Sequence, residues 1–76
     1  MQLNNWLIKC NHTPETLDRI MMHFRKRGLL VNEINYKALN AQQAECVVLF
    51  DEAKENASRI YNNIMRTVDV HSIEIK

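Results

Sequence analysis

A chain of 76 residues with a formal net charge of +1, 46% apolar and 25% charged residues has the composition of an ordinary globular protein. The charge is too close to zero to argue for nucleic acid or an anionic membrane as a partner. The apolar share argues against disorder, and no apolar run approaches the roughly 20 residues needed to cross a bilayer. A domain of this size buries only about 60% of its unfolded surface, so one domain over residues 1–76, stabilised by a partner or a second copy, is expected. The N-terminus MQLNNWLIKCNH lacks the charged and long apolar regions of a signal peptide, and Cys10 and Cys46 are too few for a disulfide framework. Both features predict a cytoplasmic protein with reduced thiols.

WLIKC is short, apolar and bounded by polar residues, which predicts a first strand over about Leu3–Cys10. NHTPETLDRI follows. Thr13 is placed to cap a helix, and Pro14 suits the first helical position, where its missing N–H costs nothing. Glu15 and Asp18 fall in the first turns, at the positive end of the helix dipole. Leu17, Ile20, Met21 and Phe24 form one apolar face. His23, Arg25, Lys26 and Arg27 crowd the last turns, and Gly28 is the stop.

LLVNEINYKAL alternates, with Ile34, Tyr36 and Ala38 opposed to Glu33, Asn35 and Lys37, the pattern of a half-buried strand. After the polar turn NAQQAE, CVVLF is apolar at every position and predicts a central strand covered on both faces. Asp51 is placed to cap a second helix, whose buried stripe is Ala57, Ile60, Tyr61, Ile64, Met65 and Val68. Glu55 and Arg59 are spaced for an ion pair on its wet side. HSIEI closes the chain as a strand, with Ile73 and Ile75 facing one way.

The order strand, helix, strand, strand, helix, strand predicts an α+β fold. It is the ferredoxin-like βαββαβ sandwich, a four-stranded antiparallel sheet with two helices on one face. Right-handed crossovers put the first and third strands in the middle, in accord with their apolar character. The second and fourth strands become edges, which need protection.

The chemistry-bearing residues are sparse. No Ser–His–acid order, Gly-rich phosphate loop or pair of carboxylates in an apolar context occurs, so catalysis is not expected. Cys10, His12, His23, Cys46 and His71 are the soft ligands, but a metal chaperone of this fold would want two cysteines two apart in the first loop. Buried small thiols are the better reading, and no metal is expected. HFRKR is basic but ends a helix, where cations complement the carbonyls. CVVLF offers no aromatic stacking pair, and Trp6 and Tyr36 read as packing residues, so no nucleic acid is expected.

Taken together, NHTPETLDRIMMHFRKRGLLVNEINYKAL and the ending TVDVHSIEIK resemble an ACT domain. More narrowly, they resemble the short, single-domain small regulatory subunit of acetolactate (acetohydroxyacid) synthase. Asn11, Leu17, Arg19, Ile20, Arg27 and Gly28 match the pattern of that family, in which a strand leads to Asn, a short loop, Leu-x-Arg-Ile/Val and then Arg-Gly. The similarity covers nearly the whole chain, and it is the joint spacing that carries it.

The resemblance implies a non-catalytic subunit that binds and activates the acetolactate synthase large subunit in branched-chain amino acid biosynthesis. No cofactor is implied in this chain; thiamine diphosphate, FAD and magnesium are implied in the catalytic partner. It also implies a homodimer in which second-strand edges meet, with Leu30, Asn32, Ile34, Tyr36 and Phe24 as candidate interface residues. The candidate effector site is Asn11, His12, Thr13, Pro14, Glu15 and, across the dimer, Leu30.

Feedback-sensitive members carry Asn-x-Pro-Gly in this loop and a second Asn where this chain has Leu30. Here the Gly is absent, Pro14 removes a donor and Glu15 adds a negative charge, so valine feedback is doubtful and the loop chiefly turns the chain. The alternative is a stand-alone ACT-like sensor that binds a small amino acid in another pathway.

Overall fold

The computed structural model describes residues 2–76; Met1, within the expected domain of residues 1–76, lies outside them. The elements are β1 (Gln2–Asn11), α1 (Thr16–Lys26), β2 (Val31–Ala38), β3 (Gln43–Glu52), α2 (Lys54–Met65) and β4 (Val70–Ile75). The sheet is antiparallel in the order β2-β3-β1-β4, with the apolar first and third strands in the middle as the crossover rule requires.

Alternation decides which residues enter the core. Trp6, Ile8 and Cys10 of β1 and Ala44, Cys46, Val48 and Phe50 of β3 point to one face and are buried. Ile20 and Phe24 of α1 and Ala57, Ile60 and Ile64 of α2 pack onto them. An aromatic chain ties the layers, with Phe24 edge-on to Phe50 at 5.0 Å, Phe50 to Trp6 at 4.9 Å and Trp6 to Tyr61 at 5.8 Å between ring centroids. Trp6 and Phe24 are therefore core residues.

Several expectations are corrected. Both helices lie on one face, so Leu7 of β1 and Val47 and Leu49 of β3 are only half-buried on the other face, and β3 is not covered on both sides. β2 is less buried than its alternation suggested: Ile34 faces the helix side but is 36% exposed, because the edge lies past the helices' cover.

Asp51 does not start α2; it is exposed and accepts a hydrogen bond from Asn32 at 3.1 Å. The next residue, Glu52, turns inward, and its carboxylate accepts the Ala53 N–H at 2.8 Å and the Asn56 amide at 3.3 Å. Alternation requires this, because Gln2–Glu52 continue the core-facing side of the sheet. α2 ends at Met65, so Val68 lies beyond it in a turn and is 81% exposed, off the predicted stripe. Glu55 and Arg59 form no ion pair among the described residues.

The stop of α1 follows the sequence closely. Gly28 has φ +67°, the left-handed region that glycine enters without a Cβ penalty. The Leu29 N–H reaches the Phe24 carbonyl at 3.0 Å and the Gly28 N–H reaches the Arg25 carbonyl at 3.0 Å, a complete Schellman closure.

Candidate functional site

The segment between β1 and α1 is held from three sides. The Asn11 N–H donates to the Asp69 carbonyl at 2.8 Å, and the His12 N–H donates to the Gln42 carbonyl at 2.9 Å. The third hold is Thr16, the first residue of α1, which is wholly buried. Its hydroxyl donates to the Asn11 carbonyl at 2.7 Å. With that proton committed, Thr16 Oγ1 accepts from the Thr13 N–H at 3.2 Å and from the Thr13 hydroxyl at 2.7 Å.

This arrangement corrects the expected cap. Thr13 does not cap the helix with its side chain; Pro14 and Glu15 form a turn, and α1 proper begins at Thr16. The spacing Thr13-x-x-Thr16 is that of a capping box with Thr in place of Glu or Gln. That spacing is the signal in the sequence that points to Thr16.

Side chains from other elements complete the surroundings. His12 Nδ1 lies 2.9 Å from the Tyr36 hydroxyl, and their rings are tilted against each other at 5.6 Å. Burial pushes the Tyr36 phenol above its ordinary value, with the Cys10 thiol adding to the effect and the Thr16 hydroxyl opposing it. His71 of β4 meets Asn11 Oδ1 at 2.6 Å. The Arg19 guanidinium pairs with the Asp69 carboxylate, whose side chain is 10% exposed. His23 shares a 2.9 Å hydrogen bond with Thr67, and burial followed by the charge of Lys26 lowers its pKa.

The fold thus brings Asn11, His12 and Thr13 together with Thr16, Tyr36, Asp69 and His71, while Pro14 and Glu15 are exposed on the rim. Leu30 is 85% exposed but follows the far end of α1. A helix of 11 residues puts it about 16 Å from the loop within one protomer. Of the candidate interface residues, Asn32, Ile34 and Tyr36 lie on the open edge strand. Phe24 is wholly buried in the protomer's own core and has no surface to offer a second copy. The reason is that its position on α1 continues the Ile20 face, which β3 covers.

What this cluster offers chemically is hydrogen-bonding groups. Among the described residues, the N–H groups of Glu15, Leu17 and Asp18 at the start of α1 have no partner in the protein. No group of three or more His, Cys, Asp or Glu side chains converges as a metal site among those residues. Cys10 and Cys46 are both free and buried on the same face, with Cys46 paired opposite Ile8 and Cys10 opposite Ala44. Burial and the neighbouring Asp69 charge raise the Cys10 pKa, and burial with Cys10 beside it pushes Cys46 up to about 12.

No family model matches the chain, and no curated protein matches it. Solved structures do. The ACT domain of GTP pyrophosphokinase from Chlorobium tepidum superposes with a TM-score of 0.78 at 12% identity, over 97% of this chain and 96% of that one. The acetolactate synthase small subunit from Thermotoga maritima superposes with a TM-score of 0.84 at 12% identity, over 99% of this chain and 47% of that one.

The fold is the ACT fold.

At such identities the likeness extends to the fold and no further. A formyltetrahydrofolate deformylase from Pseudomonas putida KT2440 contains the same fold, with a TM-score of 0.71 at 10% identity, in a chain of which this one spans 28%. Within the ACT fold, the β1–α1 loop and the β2 edge described above occupy adjoining parts of one protomer, joined by the His12–Tyr36 contact. No helix among the described residues is long and apolar enough to cross a membrane.

Proposed function

We propose that this chain is a regulatory subunit without chemistry of its own, which binds the catalytic subunit of acetolactate synthase and raises its turnover. The observation that carries the reading is the β2 edge. It pairs only with β3, is exposed along nearly its whole length, and is anchored by Tyr36 to the β1–α1 loop. An edge of this kind presents a second row of backbone groups ready to pair, and calls for a partner strand or other protection. A second copy meets that need by isologous pairing, and only then does Leu30 of one protomer approach the loop of the other. The sequence resemblance through Asn11, Leu17, Arg19, Ile20, Arg27 and Gly28 supports the choice of enzyme, as does the acetolactate synthase small subunit among the structural neighbours. Thiamine diphosphate, FAD and magnesium would reside in the catalytic partner.

Mixing the chain with its cognate large subunit is expected to raise the rate of acetolactate formation and to give a co-eluting complex. Unchanged rate together with separate elution would overturn the proposal. A second reading, a stand-alone amino acid sensor, is favoured by the unpartnered N–H groups of Glu15, Leu17 and Asp18. Against it stand Pro14, which withholds a donor, and the Glu15 carboxylate, which repels an anion by on the order of 1 kcal/mol. Calorimetry separates the two, since micromolar binding of valine would select the sensor.

A further inference from the structure

The sheet face away from the helices has an apolar centre. Leu7 of β1 and Val47 of β3 are direct cross-strand partners on that face, and Leu49 stands beside them. All three are half-buried, and no element among the described residues lies over them. Leu3, on the same face, is 64% exposed. An apolar centre within a charged rim is the make-up of an interface.

The rim is divided by charge. The half formed by β2 and β3 carries Glu33, Glu45 and Asp51 against Lys37, a net of −2. The half formed by β1 and β4 carries Lys9 and Lys76 against Glu74, a net of +1. Glu74 is held there by Lys9 at 3.3 Å and Lys76 at 3.5 Å. Glu33, Lys37 and Glu45 make no ion pair among the described residues. A face whose two halves differ in sign is complementary to its own copy turned over.

We propose that this face packs against the same face of a second copy, about a two-fold axis that runs along the strands between β1 and β3. That axis lays β1 of one copy on β3 of the other. Leu7 and Val47 are cross-strand partners, and so are Lys9 and Glu45. Each residue therefore meets the other member of its pair across the axis. Val47 packs on Leu7 of the second copy and Glu45 on its Lys9, and each contact occurs twice. Glu33 is level with Leu49 and Asn5, and it meets Lys76, whose N–H reaches the Asn5 carbonyl at 2.8 Å. Lys37 comes near Glu74. Stacked sheets lie about 10 Å apart and cross at about 30°, which moves the outer pairs by a few ångströms, within reach of Lys and Glu side chains. No like charges are directly opposed.

Four strands span about 19 Å and Leu3–Lys9 about 20 Å, so each copy contributes about 400 Å². The total of about 800 Å² is below the roughly 1,200 Å² of stable complexes, so a weak association is expected, with a Kd on the order of 100 µM. The inference goes beyond the regulatory reading and uses another surface, since Ile34 and Tyr36 of the β2 edge lie on the helix side of the sheet. Edge pairing turns about an axis at β2. The two axes do not meet, so both contacts together extend a ribbon instead of closing.

Ile34→Lys blocks the edge and isolates the stack, so the test stands whether or not edge pairing occurs. Sedimentation equilibrium of this variant is expected to show about 15% of chains paired at ~10 µM and about 80% at ~1 mM, as that Kd requires. Monomer at every concentration up to ~1 mM would overturn the proposal. In the same background, Glu45→Lys alone opposes two lysines at each contact, and Lys9→Glu alone opposes two glutamates. Each should raise Kd about tenfold. An equimolar mixture of the two variants has opposite charges at both contacts and should recover pairing as a mixed dimer. A mixture that associates no better than either variant alone would overturn the two-fold arrangement. A Glu45→Lys variant that self-associates as before but no longer co-elutes with the acetolactate synthase large subunit would give the face to that partner instead.

Discussion

Replacing Thr16 with Val removes one hydroxyl and keeps the shape of the side chain. The structure makes that hydroxyl the centre of the β1–α1 junction, because it donates once and accepts twice within a site that is itself fully buried. The Asn11 carbonyl and the Thr13 N–H both lose a partner. Each net hydrogen bond contributes about 0.5–1.5 kcal/mol, and a donor or acceptor left buried costs about 1–3 kcal/mol. Thr13 is half-exposed and recovers part of its loss from water, so a total of about 2–3 kcal/mol is expected. For a chain of 76 residues that corresponds to a fall in Tm of about 10–20 °C. Thr16→Ser is the control, since it keeps the hydroxyl and removes one methyl group, at a cost of about 1 kcal/mol. Thermal melts followed by circular dichroism at one fixed protein concentration give the comparison, since any association makes Tm concentration-dependent. If the Val variant is as stable as the Ser variant, the hydroxyl does not hold the junction and the argument fails.

Ile34→Lys places a charge at the seam of the proposed edge-to-edge dimer and should shift sedimentation toward monomer at micromolar concentration; an unchanged or monomeric wild type refutes that arrangement. Cys46, pushed up to about 12, and Cys10, also raised, should resist thiol reagents at neutral pH in the native state and react promptly in denaturant. Fast labelling of the native protein would contradict their burial. His23 has a lowered pKa in the folded state, from burial first and Lys26 second. The unfolded chain then binds more protons just below its ordinary value near 6.5, so stability is full above that pH and declines as pH falls toward the folded-state value. His23→Gln should flatten that decline in urea midpoints measured between about pH 5 and 7.5; an unaltered slope would show that other groups carry it.

The α1 stop is legible in the sequence at its residue, Gly28, because a Schellman closure depends on one glycine and its immediate neighbours; the structure adds the two closing hydrogen bonds. The start of α1 is ambiguous in the sequence for a related reason. Thr13 and Thr16 are equally good partners for a helix start by residue type, and only the depth of Thr16 against the Asn11 carbonyl decides between them. Phe24 and Trp6 show two sides of one rule. Both are apolar in the sequence, yet the resemblance puts Phe24 at an interface, and periodicity does not exclude it, since it names a buried face without saying what buries it.

Local pattern by itself determined the element order, the antiparallel sandwich and which strands lie in the middle. These follow from side-chain period, caps and the handedness of crossovers, all short-range or universal constraints. The tertiary structure alone decided the meetings of Arg19 with Asp69, His71 with Asn11 and His12 with Tyr36, which are separated by 50, 60 and 24 positions. It alone showed that helices cover one face of β3, that Glu52 rather than Asp51 turns inward to accept the Ala53 N–H ahead of α2, and that the Trp6 indole N–H is buried without a partner among the described residues. Such facts depend on how far each helix extends over the sheet and where each edge runs out from under it. Those are distances between elements, and periodicity along one element carries no record of them.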